Sequence, residues 1–307
     1  NGLICSFRIS LPAMRTEPEC ILCLFSQLNR ICKYSAMPRS DSIELFRILA
    51  AMVKDLDLES TPPELSVQVL DMVKKKFAGI HDPFKLVKKM ENERAAEMLP
   101  KCRAAIKKSK SPLEMAVRFA TVSNVIDYGL PVMLELKNAI TKLAMKKFGR
   151  LDIDLLKKRL SHAKKVLIVG DNTGEIYFDR LMLEFLPKKI DYIYAVRSAP
   201  ILNDSLLEDA VEAGIGEFAE IMESGSTIPG TLIKSCSKEF RAACKNADVI
   251  ISKGQGNFET MIDEKLPIFF LFAVKCDVVA HNLKVDKGTM LAMASPNYAW
   301  KKAAKKK

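Results

Sequence analysis

The sequence is poor in histidine, and this limits the chemistry open to it. Its 307 residues contain three histidines, at positions 81, 162 and 281, and these form no Ser-His-Asp grouping. A serine or cysteine nucleophile is usually activated by an adjacent base such as histidine. A histidine general base is therefore disfavoured, and so is a cysteine phosphatase.

Long apolar runs and export signals are also missing. No run approaches the roughly 18 apolar residues that indicate a membrane-spanning helix. The first residues lack the basic, apolar and small-residue layout of a secretory signal. We therefore expect a cytoplasmic protein with no membrane partner, and its eight cysteines are expected to be reduced thiols.

One close cysteine pair stands out, Cys20 and Cys23. A structural zinc site needs four ligands, so a single CxxC is a weak zinc signal. Cys32 and Cys276 could complete such a site only if folding brings them near. A redox pair and simple packing of two small residues stay open as alternatives.

The net charge of +11 is concentrated at the end of the chain, where five of the last seven residues are lysines. Such a run is usually a solvated tail. The rest of the sequence shows no interleaving of aromatic and basic residues like that of an RNA-binding sheet. We therefore expect no nucleic-acid partner.

The pattern of apolar residues divides the chain into a helical part and an α/β part. Apolar residues recur at three- and four-residue steps from Glu19 to about Phe148, and no stretch there alternates with period two. After Gly149, strands alternate with helices, which predicts a mostly parallel sheet. The predicted strands are 165–169, 192–196, 219–222, 249–252 and 268–272, and the helices among them are 176–186, 206–213, 231–243 and 259–264.

This division predicts a three-layer α/β domain with a mostly parallel sheet, preceded by an all-helical domain. We place an extension without stable structure at 1–16, the helical domain at 17–149, the α/β domain at 150–294, and a basic, unstructured tail from 295 to 307.

The first predicted strand of the α/β part ends in Gly170 and is followed at once by Asp171 and Asn172. Ligands of open α/β sheets bind just outside the carboxyl ends of the strands. Carboxylate and amide oxygens suit Mg²⁺ or Mn²⁺. The alternative is an Asp-Asn turn that caps the next helix. The glycines match neither a dinucleotide fingerprint nor a P-loop.

Asp204 follows the next predicted strand, so it can meet Asp171 and Asn172 at the same sheet edge. Three oxygen ligands with water would leave room for a phosphate. The alternative is that Asp204 only caps a helix.

A lysine beside two glycines ends another strand, in Ser252–Glu259. Glycines let backbone N–H groups approach an anion, and Lys253 adds a positive charge, which favours phosphate binding over a structural lysine. A further loop, 224–230, is rich in hydroxyls and glycine. Its Ser224 and Ser226 are candidates to line a substrate pocket.

Together these motifs resemble the metal-dependent damage-control phosphatase family, formerly a domain of unknown function. The resemblance spans about residues 17–292 and its motifs occur in the family's order. It rests on these stretches: Pro18–Cys23, Asp82–Phe84, Ser123–Gly129, Gly170–Asp179, Pro200–Asp204, Ser224–Thr231, Ser252–Glu259 and Lys275–Ala280. The CxxC resembles the stand-alone branch of the family. Ser123 departs from the family, which usually has glycine there.

The resemblance implies roles for several residues. Asp171, Asn172 and Asp204 would bind a divalent metal (Mn²⁺, Mg²⁺, Co²⁺ or Ni²⁺), and Lys253 would contact the substrate phosphate. Asn124 and Asp127 would reach into the cleft from the helical domain, and the backbone amides of Gly254–Asn257 would hold phosphate oxygens. The implied reaction is hydrolysis of phosphate monoesters of small metabolites, such as sugar phosphates or damaged phosphorylated cofactors. Glu175 and Asp209 are weak candidates for moving protons.

Two alternatives differ in class. Relatives of this family have been described as protein carboxyl methyltransferases that use S-adenosylmethionine, and a non-catalytic phosphometabolite-binding protein would have the same motifs. The oxygen ligands and the lysine-glycine loop favour the phosphatase over the methyltransferase, because no glycine loop for adenosine is present.

Overall fold

The N-terminal part of the protein is helical. The computed structural model describes residue 11 and residues 14–77, 81–125 and 140–300. No strand lies among the described residues before Arg150. Helix α3 begins at the predicted proline signal, where the Thr61 N–H donates to Glu64 Oε2 over 2.9 Å and caps the first turn. The helices here are α1 (Pro18–Tyr34), α2 (Arg39–Met52), α3 (Pro62–Lys76), α4 (Lys85–Lys108) and α5 (Pro112–Val122).

The C-terminal part forms a seven-stranded sheet within the described residues, in the order β1-β7-β6-β5-β2-β3-β4. Strand β7 is antiparallel to β6, and all other neighbours are parallel. The five predicted strands are all present, and β1 and β7 were not predicted. The strands are β1 (Arg150–Leu151), β2 (Lys165–Val169), β3 (Asp191–Val196), β4 (Glu220–Glu223), β5 (Val249–Lys253), β6 (Ile268–Ala273) and β7 (Met290–Ala294).

Helices cover both faces of this sheet. Alternate residues of each strand face opposite sides, so Ile168 and Ile251 pack in one apolar cluster whereas Leu167 and Ile250 pack in another. The predicted fold class, a three-layer α/β domain after a helical region, is confirmed. The helices here are α6 (Ile153–Leu160), α7 (Glu175–Phe185), α8 (Leu207–Glu212), α9 (Lys238–Asn246), α10 (Gln255–Met261) and α11 (Asp277–Leu283).

Two predicted helices have different bounds in the structure. The helix expected at 231–243 begins only at Lys238, because the Ser237 side chain accepts a hydrogen bond from the Phe240 N–H and caps it there. The helix expected at 259–264 begins earlier, at Gln255, directly after Gly254.

The helical part and the sheet share one core. Leu99 of α4 and Phe119 of α5 are buried in the same apolar cluster as Phe178 of α7 and Ile251 of β5. Helices α1–α3 enclose a smaller cluster of their own. Helices α4 and α5 therefore hold the helical part directly over the α7 side of the sheet.

Both ends of the described chain pack on the fold. Met14 and Thr16 of the predicted extension are buried, and the Thr16 hydroxyl donates to the Ser60 carbonyl. At the other end the Trp300 ring lies tilted against that of Phe269, with 4.8 Å between the ring centroids. Part of each predicted unstructured end is thus ordered against the fold; residues 1–10 and 301–307 lie outside the described residues. No helix among the described residues is long and apolar enough to cross a membrane.

Candidate active site

The loop after β2 carries the predicted ligands to the carboxyl edge of the sheet. Asp171 and Asn172 are each 8% exposed and Asp204 is 4% exposed. Asn172 and Asp204 pair as an isolated antiparallel bridge, and the Ser205 N–H donates to the Asp171 carbonyl over 2.8 Å. The structure therefore brings all three predicted ligands together, as adjacent parallel strands should.

The amides of Asn124 and Asn172 join two carboxylates. Asn124 Nδ2 donates to Asp171 Oδ2 (3.2 Å) and Glu175 Oε1 (2.6 Å), and Asn172 Nδ2 donates to the same two oxygens over 3.0 and 2.8 Å. Asn124 Oδ1 accepts from the Ala273 N–H at the end of β6. Asn124 thus reaches the site from the helical part, as predicted.

Gly254, at the end of β5, lies directly under the Asp171 carboxylate. A Cβ atom at Gly254 would stand 1.8 Å from Asp171 Oδ2 and 2.2 Å from its Cγ. The residue has a φ of 79° and a ψ of 160°, a backbone conformation that residues other than glycine rarely adopt. Only glycine therefore lets the two strand ends come this close.

The Lys253 ammonium is fully buried and lies between two carboxylates of α7. Its Nζ is 3.1 Å from Glu175 Oε2 and 2.8 Å from Asp179 Oδ1, and Asp179 Oδ2 accepts from the Tyr194 hydroxyl over 2.8 Å. Burial lowers the pKa of Lys253, but Asp179 and Glu175 outweigh it and raise that pKa above its ordinary value. Lys253 is thus a cation held inside the protein, and it holds Glu175 in place.

Arg197, which the sequence did not single out, directly follows β3 and is 2% exposed. Its guanidinium donates to Asp204 Oδ2 (2.6 Å), Thr231 Oγ1 (2.6 Å) and Asn257 Oδ1 (2.9 Å). Asn257 Nδ2 in turn donates to the carbonyls of Gly170 (3.0 Å) and Lys253 (2.6 Å). The sequence signal that could have identified Arg197 is a cationic residue directly after a buried strand.

Negative charge exceeds positive charge in this buried network. Four carboxylates, all less than 9% exposed, face the two cations Lys253 and Arg197: those of Asp171, Glu175, Asp179 and Asp204. Burial, Glu175 and Asp204 raise the pKa of Asp171 well above its usual value. Burial also raises the pKa of Asp204, although Arg197 opposes this. With all four acids ionised, the carboxylates would exceed these two cations by two charges, which a divalent cation would balance.

The donor set at this edge fits a hard metal ion. Asp171 and Asp204 offer carboxylate oxygens and Asn172 an amide oxygen, the ligand types that Mg²⁺ and Mn²⁺ accept together with water. No three His, Cys, Asp or Glu side chains in the described ranges are grouped closely enough to hold a metal by themselves. An ion here would therefore need the Asn172 amide and water as well as the two aspartates.

The sequence matches a known protein family over most of its length. The family model for the damage-control phosphatase ARMT1-like domain matches residues 16–291. The chain belongs to this family. Damage-control phosphatase PH1575 of Pyrococcus horikoshii is 33% identical over 285 residues, covering 91% of this chain and 98% of the relative. A damage-control phosphatase of Archaeoglobus fulgidus is 28% identical, covering 91% and 99%.

The fold of the family has been solved. The crystal structure of the DUF89 family protein PH1575 from Pyrococcus horikoshii superimposes on this chain with a TM-score of 0.84 at 31% sequence identity. The alignment covers 92% of this chain and 99% of that one. The predicted membership of the damage-control phosphatase family is therefore confirmed over almost the whole length of both proteins.

Lys275 is a second residue that sequence reasoning did not assign to the site. It follows β6, next to β5 in the sheet, and its side chain is exposed. Its charge lowers the pKa of Asp171 against the larger effect of burial, so Lys275 lies within electrostatic range of this candidate metal ligand. Its N–H donates to Gln255 Oε1 over 2.7 Å, which ties it to the turn at Gly254.

The other predicted site residues take structural positions or lie elsewhere. The Ser226 hydroxyl donates to the Gly230 carbonyl and the Ser224 hydroxyl accepts from the Ser226 N–H, so both bond within their own loop. The Asn257 side-chain amide donates to the Gly170 carbonyl. Asp209 caps α8 through the Leu206 N–H. Asp127 lies outside the described residues.

The cysteines are free thiols in the part of the chain that the structure describes. Cys20 is buried, and burial raises its pKa to about 11. Cys276 Sγ accepts from Gln255 Nε2 over 3.3 Å. Among the described residues none of these thiols belongs to a group of three ligands able to hold a metal, so the structure offers no zinc site there.

Proposed function

We propose that this chain is a metal-dependent phosphomonoesterase that hydrolyses phosphate esters of small metabolites. The observation that supports this most is the meeting of the buried Asp171, Asn172 and Asp204 side chains at one sheet edge, where the charge of Lys275 also acts on Asp171. The names of the relatives from Pyrococcus and Archaeoglobus support a phosphatase over a methyltransferase.

Asp171, Asn172 and Asp204 would hold the divalent ion, which is Mn²⁺, Mg²⁺, Co²⁺ or Ni²⁺ in this proposal. Such an ion neutralises phosphoryl oxygens and lowers the pKa of a bound water toward about 7. The acidic edge would otherwise repel a phosphate dianion. The protein's own task is therefore to keep three oxygen ligands fixed and to supply positive charge next to them.

Lys275 is the cation that we assign to the substrate phosphate. Its side chain is exposed at the carboxyl edge of the sheet, and its charge lowers the pKa of Asp171. Charge accumulates on the phosphoryl oxygens in the transition state, so a fixed cation there lowers the barrier. Lys253 instead fixes Glu175, whose Oε1 orients both site amides.

The substrates that we propose are sugar phosphates or damaged phosphorylated cofactors. This follows from the damage-control name of the relatives and from the absence, in the sequence, of a P-loop or dinucleotide fingerprint. A panel of such phosphometabolites, assayed for released phosphate, would rank them.

The decisive experiment uses the purified chain with a generic aryl phosphate and each of the four ions, with and without a chelator. We expect phosphate release that stops with chelator and in Asp171→Ala. Asp191→Asn is the matched control, because Asp191 is exposed and begins β3 at the opposite edge. Methyl transfer from S-adenosylmethionine without phosphate release from any ester would overturn the proposal. If the chain binds phosphometabolites but does not hydrolyse them, it is a non-catalytic binding protein and the proposal is wrong.

A further inference from the structure

Arg197 is held more firmly than its place at a strand end requires. Its three donor bonds, of 2.6, 2.6 and 2.9 Å, end on acceptors from three separate segments of the chain. These acceptors belong to Asp204 in the loop after β3, to Thr231 after β4, and to Asn257 on α10. A planar guanidinium is suited to such a set, since its donors have fixed directions.

The acceptors are themselves fixed. The Thr231 hydroxyl donates to Asn257 Oδ1 over 2.8 Å, so Arg197, Thr231 and Asn257 form a closed polar ring. Asn257 is anchored to the carbonyls of Gly170 and Lys253, at the ends of β2 and β5. All members of the ring are at most 2% exposed. The guanidinium therefore has one position, set by the same strand ends that carry the candidate ligands.

That position determines how Asp204 is oriented. Arg197 Nε engages Oδ2 of the carboxylate, whose bridge with Asn172 places it next to the first two candidate ligands. Oδ1 is the oxygen that this contact leaves available to an ion. A lysine at position 197 would keep the charge but could not make the three directed bonds.

We propose that Arg197 is a positioning residue that holds the Asp204 carboxylate in the orientation needed to bind the divalent ion. This inference rests on the proposed function. Metal affinity then depends on Arg197, a residue that is not itself a ligand. Groups that orient metal ligands typically change affinity by about 10- to 100-fold when they are replaced.

The test is Arg197→Lys, with Arg103→Lys as the matched control. Arg103 also pairs with a carboxylate, that of Glu184, over 2.7 and 2.6 Å, at the far end of α7 from Glu175. Mn²⁺ binding is measured directly, from the electron paramagnetic resonance signal of free Mn²⁺, and thermal unfolding is measured alongside. We expect the Mn²⁺ dissociation constant to rise about 10- to 100-fold in Arg197→Lys. In Arg103→Lys it should stay within about threefold, even where unfolding shifts similarly.

Activity separates positioning from a merely structural role. In Arg197→Lys the Mn²⁺ concentration for half-maximal activity should rise with the dissociation constant, while kcat at saturating Mn²⁺ stays within about threefold of wild type. If this variant does not fold, Arg197→Gln, which keeps one donor for Asp204, replaces it with the same expectation. Unchanged Mn²⁺ binding in the folded variant would overturn this inference alone. A wild-type protein that binds no divalent ion would overturn the proposed metal site as well.

Discussion

Replacing Gly254 by alanine tests whether the contact between the β2 and β5 ends is needed for the proposed reaction. The new Cβ would stand 1.8 Å from Asp171 Oδ2, 2.2 Å from Cγ and 2.8 Å from Oδ1. Carbon and oxygen atoms in van der Waals contact are at least about 3.4 Å apart, so the carboxylate must move by well over 1 Å. A 1 Å displacement of a catalytic group can cost about 100-fold in rate.

The same change strains the backbone, so activity must be separated from stability. A residue forced into this part of φ/ψ space costs about 1–3 kcal/mol. Gly288 provides the control, because its φ is 86° and a Cβ there would meet nothing within 4 Å. Gly288→Ala therefore carries a backbone strain of the same kind without the clash.

The assay is phosphate release at saturating metal, together with urea unfolding of both variants. We expect Gly254→Ala to lose about 100-fold in kcat/KM, whereas Gly288→Ala keeps activity within about threefold. Gly288→Ala should lose about 1–3 kcal/mol of unfolding free energy, and Gly254→Ala should lose more, because the clash with Asp171 adds to the backbone strain. Equal activity of the two folded variants would show that the Asp171 position does not matter for the reaction, and the assignment of Asp171 would then be wrong.

Three further outcomes follow from the structure. Lys275→Ala should lower kcat/KM by about 10- to 100-fold, as measured by Michaelis kinetics. Its free energy of unfolding in urea should change little, because the side chain is exposed. Lys253→Met should lower the free energy of unfolding by about 3–5 kcal/mol, because Glu175 and Asp179 would lose their buried cation. Equilibrium denaturation measures this loss, and a value under about 1 kcal/mol would contradict the pairing. Glu259 is buried, and burial raises its pKa from 4.5 to about 7, so the folded protein holds a proton there that the unfolded chain has released. Stability should therefore fall as pH rises from about 4.5 to 7, by at most roughly 3 kcal/mol from this group, and Glu259→Gln should remove that part of the pH dependence in urea titrations.

Sequence patterns predicted where the candidate ligands meet because Asp171 and Asn172 come just after one buried strand and Asp204 lies in the loop after the next. The strand 165–169 was predicted with its observed bounds, and parallel strands end at a common edge, so Asp171 and Asp204 had to be neighbours. Strands β1 and β7 were missed for a different reason. The first is two residues long, and the second is the sequence Met-Leu-Ala-Met-Ala, which lacks the β-branched and aromatic residues that favour strands.

The role of Lys253 shows what a strand-and-loop pattern leaves open. The pattern placed a lysine at the ligand edge, but its partners are Glu175 and Asp179, on a helix that follows a different strand. These two acids are four residues apart and so share one face of α7. Two carboxylates one turn apart on a largely apolar helix indicate a buried cation partner. Which cation it is depends on how the helix lies on the sheet, and that is a tertiary property.

Pairing within the buried network argues for the position of a metal independently of any family motif. Lys253 is in contact with Glu175 and Asp179, and Arg197 is in contact with Asp204. Within the described residues, the side chains that donate to the Asp171 carboxylate are the Asn124 and Asn172 amides, and no buried cation there is in contact with it. Burial of an uncompensated carboxylate is costly unless it is protonated or paired. The point of greatest need for positive charge is therefore the Asp171 carboxylate, beside Asn172 and Asp204, where an ion and a phosphate-binding lysine would lie next to each other.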